Sequence, residues 1–272
     1  KNMIRSYGHP PVAVADYFGR DFLSLLDTPG CHRLFKTIDV WNYIEKLTMP
    51  KFVMMTGNDD FMLIDASRGW WDKLPGDNTF MMKPNLPHLF QMSANDFLSP
   101  AVAFLQGVIT KQATPKISWN IDDANGTITA HLESDHAPRI VRLWSSRTCR
   151  AHKGRRDFRQ HNLDPFRKCR RCGRKMIIGC ENTAARWSNV PLAPSGPDGR
   201  TWVAKQDIPT DGTWTAFYLE FEYDGPKSNF NEPWQLSTEV AILPAGYPRE
   251  ECFGADCNGE NGVHSLLLTQ IK

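Results

Sequence analysis

From Lys116 to Glu133 the sequence KISWNIDDANGTITAHLE places Ile117, Trp119 and Ile121 on one side of an Asn-Gly pair and Ile128, Ala130 and Leu132 on the other. A period of two turns these side chains to one face of an extended chain, and Asn125-Gly126 is a preferred turn dipeptide. The pattern predicts a hairpin with one buried face, which a second sheet has to cover. RIVRLWSS, TWVAKQDI, TWTAFYLEFEYD and STEVAILP follow as further strand-like runs separated by Gly, Pro and Asp. Residues 113–248 therefore read as an antiparallel β-sandwich. Trp119, Trp144, Trp202 and Trp214 fall within these runs and read as core, with an aromatic sugar-binding platform as the alternative. The tail, 249–272, reads as irregular.

Residues 1–112 have a different period and read as α/β. KFVMM and TFMMK are short apolar strands bounded by turn residues, and DASRGWWDKLPG between them reads as a helix stopped by Pro75 and Gly76. After His88, the residues Phe97, Ala101, Phe104, Leu105, Val108 and Ile109 recur at helical spacing and predict an amphipathic helix. The fold class expected is thus α/β followed by all-β.

Each of the two strands runs into a polar loop, the first holding Asp59 and the second His88. An acid and then a histidine on successive loops at strand carboxyl ends is the order of the last two members of an α/β-hydrolase triad. A carboxylate beside the imidazole would fix its tautomer and stabilise the imidazolium formed during proton transfer. The plainer alternative is that Asp59 and Asp60 cap a turn and that His88 lies on the surface. No G-x-S-x-G elbow occurs in the chain. Cys31 has no preceding strand, and Ser67 reads as a solvent-facing hydroxyl.

The chain carries 7 cysteines, and its net charge of +2 hides a strong asymmetry. Between Arg147 and Lys175 there are twelve Lys or Arg against Asp157 and Asp164, so that segment is +10 and the remainder −8. Arg167, Lys168, Arg170, Arg171, Arg174 and Lys175 form a candidate surface for a polyanion such as an acidic polysaccharide. Within the same stretch CRRCG has the form of a zinc knuckle. It makes Cys149, Cys169, Cys172 and Cys180 a candidate metal set, with His161 as an alternative ligand to Cys149. In an oxidising compartment the same cysteines form disulfides instead, and no cofactor is then needed. An odd cysteine number in a loop-rich chain favours secretion, and Asn125-Gly126-Thr127 is then a glycosylation sequon. No apolar run reaches the ~18 residues of a membrane span.

The segments YGHPPVAVADYF, LDTP, PKFVMMTGNDDFMLIDASRGWWDKLPG, KPNLPHLF, RLWSSRT, RRDFR, TAFYLEFEYDGP and STEVAILPAGYP, spanning most of residues 7–248, resemble the PhoPQ-activated pathogenicity-related protein family. That resemblance implies a secreted or vacuolar-lysosomal α/β-hydrolase-like protein with a C-terminal β-sandwich. Asp59 then stands at the triad acid, His88 at the triad base, and the nucleophile upstream of the YG segment. Residues 1–112 then form the C-terminal part of a hydrolase-like sheet, and 147–180 is a basic, Cys-rich insertion that departs from the family. The RRDFR match implies that Arg156, Asp157 and Arg159 hold the sandwich by ion pairs. The expectation is a chain that does not catalyse by itself and serves as a binding or signalling module, whose partner is a receptor or the missing half of the hydrolase domain. The alternatives are the C-terminal half of a serine hydrolase or peptidase, and a zinc- or polyanion-binding protein built on residues 149–180.

Overall fold

The structure is a computed structural model that describes residues 1–11, 14, 22–88, 94–162, 171–176, 179–227 and 232–258, with 94–97, 162 and 258 described as backbone only. Helix α1 (Asn2–Tyr7) ends at Gly8 in the left-handed region, and α2 (Pro29–Ile38) starts from a Thr28 cap with proline in its first turn. Strands β1 (Lys51–Thr56) and β2 (Asn78–Lys83) pair in parallel, Lys51 with Asn78 through Thr56 with Lys83. The connection between them is two 3-10 turns, Ala66–Gly69 and Trp71–Lys73, in place of the single helix expected there. Tertiary packing overrides the helical pattern: Trp71 turns inward against Phe80 at 5.1 Å and Trp119 at 6.0 Å. Ser67, read as solvent-facing, is fully buried.

Helix α3 (Ala94–Thr110) is present, but its buried line is Pro100, Ala103 and Gly107. Leu105, Val108 and Ile109, three members of the expected apolar stripe, are exposed. The Phe97 side chain lies outside the described residues.

The remainder is antiparallel β, and the molecule as a whole is mostly β with few helices. Its strands are β3 (Ile117–Asp122), β4 (Thr127–Leu132), β5 (Ile140–Arg147), β6 (His161–Asn162), β7 (Gly173–Lys175), β8 (Cys180–Asn182), β9 (Ser188–Pro191), β10 (Thr201–Lys205), β11 (Thr215–Tyr223), β12 (Trp234–Ser237) and β13 (Ala241–Leu243). One sheet runs β10-β4-β3, and a second runs β12-β11-β5-β9 with β13 also on β11. A small third sheet, β6-β8-β7, is built from the basic insertion. The predicted hairpin forms, with Ile117 opposite Leu132 and Ile121 opposite Ile128.

Strand β11 is central because both of its faces are buried. Phe217, Leu219, Phe221 and Tyr223 pack with Ile128, Ala130, Leu132, Trp202 and Trp234 between the two sheets. Ala216 and Tyr218 point the other way, into a cluster with Phe80 and Met82 of β2, Phe158, Trp187 and Trp214. Such a strand reads as a near-continuous apolar run, which TAFYLEFEY is. Of the four tryptophans read as core, Trp202 and Trp214 are buried, while Trp119 and Trp144 are half-buried against the second cluster. The β1-β2 layer therefore shares its core with the sandwich. The Met82 N–H adds a direct link by donating to Ser237 Oγ at 2.8 Å.

Candidate functional site: an acid and a histidine at parallel strand ends

Parallel pairing brings the loops after β1 and β2 to the same end of the layer. Those loops are then laced together, with Gly57 N donating to Lys83 O at 2.7 Å and Asn58 N to Leu86 O at 3.2 Å. The sandwich clamps them from the other side. Asn58 Nδ2 donates to Phe158 O at 2.6 Å and Ala185 O at 2.9 Å, and Trp187 Nε1 donates to Gly57 O at 2.9 Å. Position 57 has to be glycine, since a Cβ there would stand 2.6 Å from Trp187 Nε1. Asn85, at φ 58°, exchanges two hydrogen bonds with the Trp187 backbone. Asparagine tolerates this left-handed conformation better than most residues.

Inside this frame Asp59 is buried, its side chain 8% exposed. Its Oδ1 accepts from Phe61 N at 2.7 Å and Met62 N at 2.8 Å, and its Oδ2 from Thr56 Oγ1 at 3.1 Å. Oδ2 also lies 2.9 Å from His88 Nδ1. A carboxylate can only accept, so a neutral ring that donates Nδ1–H to Asp59 keeps its lone pair on Nε2, the arrangement a general base requires. The ring stacks on Phe61 at a centroid distance of 4.7 Å, and the His88 side chain remains 33% exposed. A buried, oriented acid thus holds a histidine that solvent can reach.

The neighbouring Asp60 has its own partner. Its Oδ1 accepts from His161 N at 2.8 Å, and its Oδ2 lies 3.3 Å from His161 Nδ1. Burial pushes the Asp60 carboxyl above its ordinary range, against the opposing pull of the His161 contacts. The imidazole considered as a metal ligand therefore faces a carboxylate. No periodicity or motif signals this pairing, because it spans 101 positions.

In the RRDFR segment Arg156 is buried against Asp65 and stacks on Tyr247, while Arg159 forks onto Asp157 at 2.8 and 2.7 Å and lies 3.8 Å over the Tyr7 ring. Arg156 with Asp65 and Arg159 with Tyr7 fasten this segment to the turn after β1 and to α1, whereas Asp157–Arg159 is internal to it, so the pairs do not link sandwich strands as expected. Elsewhere in the basic stretch Arg147 and Arg150 face Asp211, and Arg174 faces Glu181. Of the candidate polyanion residues, Arg171, Arg174 and Lys175 are exposed. Arg167, Lys168 and Arg170 lie outside the described residues, as does Cys169.

Cys149 and Cys172 come together with Cα atoms 5.6 Å apart, Cys252 and Cys257 at 5.0 Å, both spacings a disulfide bridges. Cys180 is also disulfide-bonded, and Cys31 is free and buried in α2. Asn125 is exposed at the β3–β4 turn, where its Nδ2 donates to Asp122 Oδ2 at 2.6 Å.

A family model described as PhoPQ-activated pathogenicity-related protein matches residues 1–159, which include Asp59, His88 and RRDFR. Autocrine proliferation repressor protein A of Dictyostelium discoideum is 27% identical over 268 residues, covering 94% of this chain and 51% of that protein. The chain thus spans about half the length of the curated relative it matches. No helix among the described residues is long and apolar enough to cross a membrane.

Proposed function

The chain belongs to the PhoPQ-activated pathogenicity-related protein family, and from that premise we propose that Asp59 and His88 are the acid and base of a serine-hydrolase-type relay whose nucleophile is carried by polypeptide outside these 272 residues. The observation that carries this reading is the 2.9 Å contact between a buried, fourfold hydrogen-bonded carboxylate and the Nδ1 of a half-exposed histidine. In such a relay the histidine Nε2 takes the nucleophile's proton and returns it to the leaving group, while the carboxylate holds the ring and offsets its charge.

Two further features support a shared α/β-hydrolase-like sheet. Among the described residues β1 pairs with β2 alone, and it is half-buried along most of its length. Exposed apolar side chains include Ile38, Val40 and Trp41 in the turns of helix before β1 and Leu105, Val108 and Ile109 on α3. Further parallel strands and their crossovers, from the other half of the family's polypeptide, would cover these groups.

By itself the chain is a binding or signalling module without hydrolase activity. The name of the relative, an autocrine proliferation repressor, agrees with a signal acting outside the cell. The Cys252–Cys257 disulfide and the exposed Asn125 sequon agree with a secreted or lumenal setting.

A fluorophosphonate probe applied to the full-length polypeptide and to residues 1–272 separately tests the proposal. The full-length protein should label on a serine outside residues 1–272 and hydrolyse p-nitrophenyl esters, and His88→Ala should abolish both. The 272-residue chain should do neither. Labelling that is indifferent to His88→Ala, or that falls within residues 1–272, would overturn the proposal.

A further inference from the structure

A cleft of about 360 Å³ opens where three sheets meet, lined by the turns that lead into β2, by the start of β3, by the end of β4 and by β12. On β2 it touches Asn78, Thr79 and Phe80, at the end of the strand opposite the His88 loop. A space of this size falls in the range of small-molecule sites, which favour the junction of separate layers. Its apolar wall holds three rings. Trp71 lies 5.1 Å from Phe80 and 6.0 Å from Trp119, and Phe80 lies 6.4 Å from Trp119. Both tryptophans are only half-buried. The polar atom of the Trp119 ring is engaged elsewhere, donating to Glu239 Oε2 at 3.3 Å, so what Trp119 offers the cleft is its π surface.

The charged lining is lopsided. Asp72, Asp77 and Glu133 stand against Lys116, three carboxylates to one ammonium, which leaves the cleft at −2. Lys116 Nζ already lies 3.1 Å from Asp77 Oδ1. Asn78 adds a further acceptor: its Nδ2 donates to Leu74 O at 2.7 Å, while its buried Oδ1 has no hydrogen-bond partner among the described residues. Carboxylates only accept, so the polar side of the cleft asks for a donor or a cation. A sugar would bring hydroxyls that need donors as well, and the cationic donor here is held on Asp77. A metal ion needs ligand atoms that converge, and Asp72, Asp77 and Glu133 do not gather within the 4.8 Å that would let one ion bridge them. Spread negative charge beside aromatic rings suits a large, weakly hydrated cation instead.

We propose that this cleft binds a small organic ammonium ion, its alkylated head against Trp71, Phe80 and Trp119 and its charge balanced by Asp72, Asp77 and Glu133. The ligand bridges the β1–β2 crossover and the β3–β4 hairpin, which contribute the two tryptophans. The inference does not depend on the relay reading, and its test involves no activity.

Choline is titrated into the 272-residue chain at low ionic strength and followed by calorimetry and indole fluorescence. Glucose and the uncharged tert-butyl analogue of choline, in which carbon replaces nitrogen, are titrated in parallel. Choline should saturate a single site with a Kd of about 1 mM or tighter, and the uncharged analogue should bind at least about tenfold more weakly. Trp119→Leu should abolish the binding. Because that variant could fail to fold, the double variant Asp72→Asn, Glu133→Gln gives a second readout at two exposed positions, and glutamine keeps an oxygen for Ser118 Oγ. It should weaken choline by about threefold to tenfold and flatten the salt dependence of binding. No saturation by choline below about 10 mM, equal affinity for the uncharged analogue, or an affinity unmoved in the double variant would overturn the proposal. So would glucose binding more tightly than choline, which would assign the cleft to a sugar.

Discussion

Adjacent carboxylates Asp59 and Asp60 divide two histidines between them, Asp59 Oδ2 lying 2.9 Å from His88 Nδ1 and Asp60 Oδ2 3.3 Å from His161 Nδ1. One histidine follows the neighbouring strand of the same layer, and the other belongs to the small sheet of the basic insertion. A single turn after β1 therefore does two jobs: it orients a solvent-accessible imidazole, and it anchors the insertion beside it. The tautomer of His88 rests on the first of these contacts.

That tautomer is measurable in this chain without any activity. Nitrogen-15 NMR of the His88 ring should show the proton on Nδ1 in the neutral wild type. Asp59→Asn keeps an oxygen for Phe61 N and Met62 N but presents an NH2 group to the ring, which should move the proton to Nε2. In the full-length polypeptide the same change should lower acyl transfer by about 10⁴-fold, since the wrong tautomer cannot take a proton from the nucleophile. A wild-type ring protonated on Nε2 would contradict the arrangement.

Asn58 is the main polar bolt between the acid loop and the sandwich, with its amide buried against two backbone carbonyls. Ala185 O also accepts from Ser146 Oγ at 2.8 Å, so Asn58→Ala leaves chiefly Phe158 O without its donor. The expected cost is about 1–3 kcal/mol in urea unfolding. Asn58→Asp is nearly isosteric yet sets a carboxylate against two carbonyl oxygens, so it should be the more damaging of the two. Were Asp tolerated as well as Asn at this position, the bolt would be of no consequence.

The buried pair Asp157–Arg159 should make stability fall in acid. Burial opposes ionisation of Asp157, but the Arg159 guanidinium outweighs it and holds the carboxyl below its ordinary 3.8. A carboxyl lowered on folding contributes stability that is present above the ordinary value and lost as pH falls through the folded one. Asp60 behaves in the opposite sense: its raised value makes its ionised form a cost above that value, and acidification relieves it. Asp27, Asp122 and Asp211 are lowered as well, so denaturant unfolding from about pH 6 down to about pH 2 should show a loss below about pH 4 that Arg159→Met reduces. Near neutral pH Arg159→Met should cost about 3–5 kcal/mol, because it strands a buried charge. An unchanged acid limb in Arg159→Met would show that the pair does not control it.

Local patterns in the chain were enough to announce the β3–β4 hairpin, the two strands of the parallel layer, and the polar loops that carry Asp59 and His88. Each is written over a few neighbouring residues, as an alternation, a turn dipeptide or an apolar run with punctuation. The resemblance carried by GNDDFM and KPNLPHLF suggested the proposed roles, not the distances. Packing decided the rest. Trp71 abandons a helix to reach Phe80 and Trp119, α3 buries its small residues and exposes Leu105, Val108 and Ile109, and β11 loses its solvent face because the β1-β2 layer covers it. Asp60 with His161, Asn58 with Phe158, and Cys149 with Cys172 join positions that the sequence keeps far apart. A local pattern records which way a side chain points along its own element. Which partner meets it depends on how separate elements close over a common core, and that is settled only when the whole chain has collapsed.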